Sequence, residues 1–540
     1  MPLPRLSSFP SSRRPSRRHP RLRPALLAAL LALSQALAPA PALAQGLPGL
    51  GDAVDMGVGA ERRLGDSIAR ELYRDPDYLE DPVLDDYVQG IWQPLLAAAR
   101  TRGELTPELE ERFAWELMIG RDRSVNAFAL PGGYFGLHTG LIAITGSRDE
   151  LASVLGHELS HVTQRHIARI MTSQSRQAPM LLAAMILGAL AASKSGRSSG
   201  DLGQAMIMGG QAMAMQKQLD FSRDMEREAD RIGYGVMTQA GFSPQGAAIM
   251  FERLQHASRL NDNGSFPYLR SHPLNSERIT DMQARFQFRA DAPRGGLPLQ
   301  AEHAMMAARA RILGRPGVDS LRAWVRAAEG DLAGQSPAAR AGTLYAAAFS
   351  AAQLNDFNAA RAAATRLREA TQAEPAAARM ARLLSVEVEL LGRNPQAAQA
   401  LLAPPTGAEP DKSRAHLLLA AQVAQATRQP GPMIPPLRDW VAVHPRDASG
   451  WRALAGLYHA ANDPLRAIRA EAEANVAILD YVGARDRFKA AQDLVRNNAG
   501  GRGPVRIDHY EASIIDTRAR ENEVKVREQA EELKQQQQQR

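Results

Sequence analysis

Cysteine is absent from all 540 residues. The chain therefore cannot use disulfides, and without an N-terminal cysteine it cannot be a bacterial lipoprotein; a hydrophobic core or a metal must supply its stability. Also missing is an apolar run of the roughly 20 residues that a membrane-spanning helix needs. The two apolar stretches Ala25 to Leu37 and Met180 to Ala192 stop well short of that. Acidic residues are lacking from residues 1–44, which carry Arg5, Arg13, Arg14, Arg17, Arg18, Arg21 and Arg23. The formal charge of +7 therefore falls to zero once those seven arginines are set aside, which removes the support for a nucleic-acid partner.

What is present in residues 1–44 has the order of a secretory signal: a basic start, the apolar Ala25 to Leu37, and Ala42-Leu43-Ala44 before a cleavage at Gln45. A retained anchor is the alternative. A twin-arginine signal would place apolar residues just after the pair, where this chain has Pro15-Ser16 and His19-Pro20. Export to the periplasm is the expectation. The remaining length suffices for two or three domains, and a hydrophobic content of 45% is ordinary for globular protein.

The most informative stretch is Gly156-His157-Glu158-Leu159-Ser160-His161. Leu151, Val154, Leu155, Leu159 and Val162 recur at helical spacing with no proline between them, so the spacing predicts a helix. On a helix, His157 and His161 lie one turn apart on one face, where both can ligate a single Zn²⁺. Glu158 need not compete for the metal and can instead take a proton from water. The site needs a third ligand. Ser222 to Asp230 offers one, with Glu226 and Asp230 four apart on an expected helix: Glu226 as ligand, and Asp230 to accept the outer ring proton of a ligating histidine. A solvated acidic helix face is the alternative reading of that segment.

Around these motifs, Ala60 to about Arg102 reads as helical, followed by strand-like Phe113 to Ile119, Ala127 to Leu130 and Tyr134 to His138, with a turn at Pro131-Gly132-Gly133. Asn126 to His138 has two readings, a structural sheet and an edge strand on which an extended substrate pairs. Met180 to Ser193 and the methionine-rich Met206 to Met215 could form a lid, a core hairpin or a contact with membrane or unfolded client. From Ala301 to Asn497 the chain is alanine-rich and helical. Trp451, Leu454, Ala455, Tyr458, Ala467 and Ala474 have tetratricopeptide spacing, with a weaker match at Leu344, Ala348, Phe357 and Ala360. Pro404 to Lys412 and Pro430 to Pro436 read as loops, residues 498–540 as a charged, glutamine-rich tail, and Glu521 to Arg540 within it as a solvated helix or disorder.

Asn126-Ala-Phe-Ala-Leu-Pro-Gly-Gly, Glu150 to His161, Ser222 to Asp230 and Ser271-His272-Pro273-Leu274 stand in the order found in zinc metallopeptidases of the HtpX and CAAX prenyl-protease type. The chain resembles above all the soluble periplasmic BepA branch, which has a C-terminal tetratricopeptide array. The resemblance implies an α+β zincin-like domain, mainly α with a small antiparallel sheet, at 45–290, and an all-α repeat domain at 301–497. It implies one Zn²⁺ per chain held by His157, His161 and Glu226, with Glu158 as catalytic base and Asp230 behind the ligands. It also implies that His272 approaches the zinc as a switch, and it suggests Arg278 as an oxyanion donor. Implied substrates are unfolded or misassembled outer-membrane proteins. The implied partner is the outer-membrane assembly machinery, reached through the repeats; peripheral membrane contact through 180–193 stays one of the open readings of that segment. The rival class is a chaperone or adaptor whose zinc is structural and kept closed by His272.

Overall fold

The computed structural model describes residues 56–173, 222–260, 266–287, 300–403, 411–498 and 506–538. The leader at 1–44 and the segments 180–193 and 206–215 lie outside the described residues. Among the described residues, no helix is long and apolar enough to cross a membrane.

Two helices open the fold, α1 (Val58–Arg74) and α2 (Pro82–Thr101). Asp81 caps α2 by accepting from the Leu84 N–H at 2.8 Å, and Pro82 sits at the first helical position, where its missing N–H costs nothing. Val83, Leu84, Tyr87, Val88, Ile91, Trp92 and Leu95 bury one face. Pro94, inside α2, cannot donate to the Gly90 carbonyl; Arg148 Nη2 donates to that oxygen instead, at 3.0 Å.

After the short α3 (Pro107–Arg112) come three strands, β1 (Glu116–Gly120), β2 (Ala127–Leu130) and β3 (Tyr134–His138). They form a sheet of order β1-β3-β2. The Pro131–Gly133 turn, with Gly132 at φ 72° and Gly133 at φ 81°, makes β2 and β3 antiparallel neighbours. β1 takes the other side of β3 and runs parallel to it, so the sheet is mixed and not antiparallel as expected. The link between β1 and β2 crosses the end of β3. Asp122 fixes that crossing, its carbonyl accepting from the Gly140 N–H and its side chain from the Ser124 N–H, both at 2.8 Å.

Helices α4 (Thr139–Ile144), α5 (Arg148–Thr163), α6 (His166–Ser173), α7 (Arg223–Gln239), α8 (Gln245–Leu260), α9 (Tyr268–Ser271) and α10 (Ser276–Gln287) complete this half. α5 and α7 cross where Gly156 faces Gly233. A Cβ built on Gly233 would lie 2.9 Å from the backbone carbon of Gly156 and 2.9 Å from His157 N, so the two backbones touch without side chains between them.

The second half is a succession of helical hairpins: α11 (Ala301–Leu313), α12 (Val318–Ala327), α13 (Pro337–Gln353), α14 (Phe357–Thr371), α15 (Pro375–Leu391), α16 (Pro395–Leu402), α17 (Arg414–Ala426), α18 (Ile434–Val443), α19 (Ala448–Ala460), α20 (Pro464–Ala477) and α21 (Tyr481–Asn498). A left-handed residue ends a helix at Asn355, Arg393, Arg428 and Asn462. Side-chain caps follow at Asp356, Asn394 and Asp463, with proline next at Pro395 and Pro464. The left-handed residue recurs at intervals of 38, 35 and 34 residues, and the side-chain cap follows at three of these four turns. The loop expected at Pro430 to Pro436 is in part helical: Pro435 and Pro436 begin α18, whose first N–H groups need no intrahelical partner. The last described helix, α22 (His509–Gln538), runs into the segment from Glu521, which is not fully solvated: Asn522 is buried and donates to the Tyr481 carbonyl at 2.8 Å. Ile515 is buried against Leu465 and Phe488, and Arg518 holds Glu473 at 2.7 and 2.8 Å.

One cluster of buried apolar residues runs from α2 through α5 and α11 to α17. Arginines of the hairpins meet the acidic start of α2. Arg309, 1% exposed, holds Asp81 at 2.7 and 2.8 Å and Glu387 at 2.6 and 2.8 Å. Arg414 reaches Asp85 at 3.0 Å, and Arg379 and Arg452 pair with Asp86 and Glu80.

The α5–α7 crossing yields a test. Gly233→Ala must push the helices apart, so it should cost about 1–3 kcal/mol of stability and weaken any metal held between them. Denaturant unfolding and metal retention measure both; parental values for each would mean that the backbones can separate without cost.

Candidate metal centre

Local chemistry sets each helix in place before any metal is considered. Ser147 caps α5 by accepting from the Glu150 N–H at 3.2 Å, while the Glu150 carboxylate accepts from the Gly146 N–H and from Arg253 of α8. Ser222 caps α7 through the Met225 N–H. Because α5 and α7 touch at Gly156 and Gly233, the histidine face of one meets the Glu226 face of the other.

The structure brings His157, His161, Glu226 and His272 together, all buried, with one ligand atom from each within 4.8 Å of the others. His157 Nε2 lies 3.0 Å from His161 Nε2 and 3.3 Å from His272 Nδ1. Glu226 Oε1 lies 3.0 Å from His272 Nδ1 and 3.5 Å from His161 Nε2. For zinc–nitrogen bonds of 2.0–2.1 Å, the corners of a tetrahedron are about 3.3 Å apart. The donor set and its spacing therefore fit one tetrahedral Zn²⁺, with His272 Nδ1 at the fourth corner.

Hydrogen bonding presents a lone pair at the His157 corner. His157 Nδ1 lies 3.0 Å from Asp230 Oδ1, so in the neutral ring that a metal requires, Nδ1 keeps the proton and Nε2 is the bare nitrogen. Arg278 fixes Asp230 in turn, donating from Nε at 2.7 Å and from Nη2 at 2.8 Å. Its Nη1 lies 2.7 Å from Glu226 Oε2 and donates to the Pro273 carbonyl at 2.9 Å. The guanidinium thus ties two carboxylates of α7 to the loop that carries His272. Each of its three nitrogens is engaged there.

Glu158 is 1% exposed, with His272 Nε2 at 3.4 Å from Oε1 and the Ala129 backbone of β2 beside it. Burial pushes its pKa up, against the lowering effect of His272 and His157. In the metal-free chain burial opposes a charged His157, but Asp230 and Glu226 outweigh it and raise the imidazole to about 10. Burial likewise opposes the Glu226 carboxylate, yet the surrounding histidines carry it far below the usual carboxylate range. His161 moves the other way, lowered by burial and by the charge on His157.

Three contributors escaped sequence reasoning. Tyr268 of α9 stacks on the His272 ring at 4.7 Å between centroids, and its backbone N–H donates to the Val125 carbonyl at 3.3 Å, which seats the His272 loop beside β2. His166 Nδ1 lies 2.9 Å from His161 Nδ1, and Glu228 Oε2 lies 3.0 Å from His166 Nε2. The only sequence signal for His166 is its place five residues after His161, which on a continuous helix is off the metal face.

Residues 96–286 match the model of peptidase family M48. A Vibrio cholerae relative is 36% identical over 254 residues, covering 45% of this chain and 49% of its own length. The Escherichia coli K12 relative, named beta-barrel assembly-enhancing protease, is 32% identical over 244 residues, covering 45% of this chain and 47% of its own. Mitochondrial metalloendopeptidase OMA1 of Schizosaccharomyces pombe is 34% identical over 170 residues, covering 31% of this chain and 46% of its own. The chain spans about half the length of the curated relatives it matches. With the two histidines of α5 and Glu226 of α7 inside the matched segment, this chain carries a peptidase family M48 domain.

Proposed function

We propose that the chain is a zinc-dependent endopeptidase of the bacterial periplasm that acts on unfolded or misassembled outer-membrane proteins, with partners recruited by its helical hairpins. The convergence of His157, His161 and Glu226 beside Glu158 carries the enzymatic part. The name beta-barrel assembly-enhancing protease, borne by relatives at 32% identity, supports the client class. The basic and apolar leader supports export, and the recurring turn chemistry supports a tetratricopeptide-like array that docks the assembly machinery.

Zinc, when held by His157, His161 and Glu226, supplies an acidified water and a positive charge against the developing oxyanion. Glu158 takes the proton of the attacking water and returns it to the leaving amine, a double task that suits a carboxylate whose pKa burial has raised. Asp230, held by Arg278, keeps His157 in the ligating tautomer. The outer edge of β2, adjoining Glu158, offers backbone groups with which an extended substrate can pair. His272 occupies the corner that water or substrate must take, so this geometry is a resting state and opening requires the loop after α9 to move.

The second reading, an adaptor with a structural zinc, is favoured by one observation: all four candidate ligands are buried, the most exposed at 5%. Glu158→Gln separates the two. It should retain about one zinc per chain while cleavage of an unfolded β-barrel client falls by about 10²-fold or more. Cleavage at the parental rate would remove Glu158 from the chemistry, and no cleavage by the parent would favour the adaptor. Glu226→Ala should instead lose the metal, as read by zinc content after dialysis.

His272→Ala should keep zinc and raise client cleavage, because it clears the fourth corner. A fall in rate would assign His272 to catalysis instead of closure.

Metal uptake should also depend on pH. His157 is protonated below about 10 in the metal-free chain and must be neutral to ligate, so binding near neutral pH displaces about one proton and affinity rises by about tenfold per pH unit. Calorimetry in buffers of different ionisation enthalpy reads that proton. An enthalpy independent of buffer would mean that His157 is already neutral.

A further inference from the structure

His161 and His166 belong to different helices, and the break between them is what lets them meet. α5 ends at Thr163, Gln164 caps it by donating to the Ser160 carbonyl at 3.0 Å, and Arg165 takes a left-handed φ of 52° before α6 starts at His166. This reversal turns the His166 ring back onto His161, with centroids 4.9 Å apart and planes at 77°. The two Nδ1 atoms are 2.9 Å apart, and both rings are fully buried.

Two facing imidazole nitrogens can share only one proton, and the metal reading decides which ring keeps it. If His161 Nε2 is to face zinc as a lone pair, Nδ1 must carry its proton and donate it to His166 Nδ1. His166 must then hold its own proton on Nε2 and donate it to Glu228 Oε2, 3.0 Å away. Arg169 Nη1, 2.9 Å from the same oxygen, anchors that carboxylate on the surface. The reverse arrangement would place a proton on His161 Nε2, pointing at the metal corner.

We propose that His166 and Glu228 are positioning residues that fix the ligating tautomer of His161, as Asp230 does for His157. The proposal rests on the zinc reading above. It gives the two histidines of α5 separate supports: a carboxylate on α7 for His157, and an imidazole–carboxylate relay from α6 and α7 for His161.

The full-length chain, stripped of metal and titrated with zinc against a chromophoric chelator, tests it, with cobalt substitution as a spectroscopic readout. His166→Phe keeps the bulk but loses the acceptor. It should weaken zinc by about 10–100-fold, the usual effect of removing a ligand's outer partner, and change the visible cobalt bands. His166→Gln, whose side-chain carbonyl can accept from His161, should recover most of that loss. Zinc affinity within about twofold of the parent for His166→Phe, with the parental cobalt spectrum, would overturn the proposal. So would a variant that loses only metal-free thermal stability. If His166→Phe does not fold, Glu228→Ala at the surface decides: several-fold weaker zinc supports the relay, and unchanged zinc overturns it. A parent chain that takes up neither metal would refute the zinc reading itself, a result distinct from any of these.

Discussion

The metal centre depends on how closely two helices can cross. His157 and His161 point from α5, Glu226 and Asp230 from α7, and the ligand atoms can converge only if the axes approach until backbone meets backbone. Gly156 and Gly233 allow that approach, since a Cβ on either would fall 2.9 to 3.2 Å from the opposite main chain. Side chains at this point would hold the helices at the ordinary spacing of about 8–10 Å, and the carboxylate of Glu226 would no longer reach both histidines. The capping of α5 by Ser147 and Glu150 then fixes where along the crossing each turn falls.

Close approach creates an electrostatic problem. Glu158, Glu226 and Asp230 are all buried within one small volume, against a single guanidinium among the described residues, that of Arg278. Isolated buried carboxylates are unstable, and the metal-free chain meets part of the cost by keeping a proton on His157. With all three carboxylates ionised, one guanidinium and one imidazolium leave one negative charge uncompensated. Exchanging the imidazolium proton for a divalent cation removes it. A dication at that point would satisfy both this charge balance and the tetrahedral spacing of the ligand atoms.

Much of this centre could be read from the sequence because its first layer is local. Four-residue spacing places His157 with His161 and Glu226 with Asp230, and helical period is decided within a few turns of chain. What could not be read is decided by partners far away in sequence. The direction of β1 follows from its short link to β2 across the end of β3, not from the residues of β1 itself. The target of Arg278 is on α7, nearly fifty residues earlier, and the role of His166 exists only because Arg165 breaks the helix. The segment from Glu521 reads as charged and solvated by composition, yet Asn522 is buried against the start of α21, donating to the Tyr481 carbonyl.

The hairpins are equally part of the centre's support, and this bears on how their role can be probed. His303 of α11 is buried between Tyr87 of α2, 2.5 Å from its hydroxyl, and the Thr145 carbonyl that follows α4, at 2.8 Å. Arg309 joins the cap of α2 to α15 through Asp81 and Glu387. α2 in turn packs beneath α5 in the same apolar cluster. A fragment ending near residue 290 would uncover that cluster and strip Asp81, Tyr87 and the Thr145 carbonyl of buried partners, and each such orphaned group costs about 1–3 kcal/mol. Loss of binding by the fragment would then report a damaged catalytic half as readily as a missing docking surface. Substitutions at exposed hairpin positions of the full chain, such as Val443 at 74% exposure, leave the shared core intact and can be read for recruitment alone.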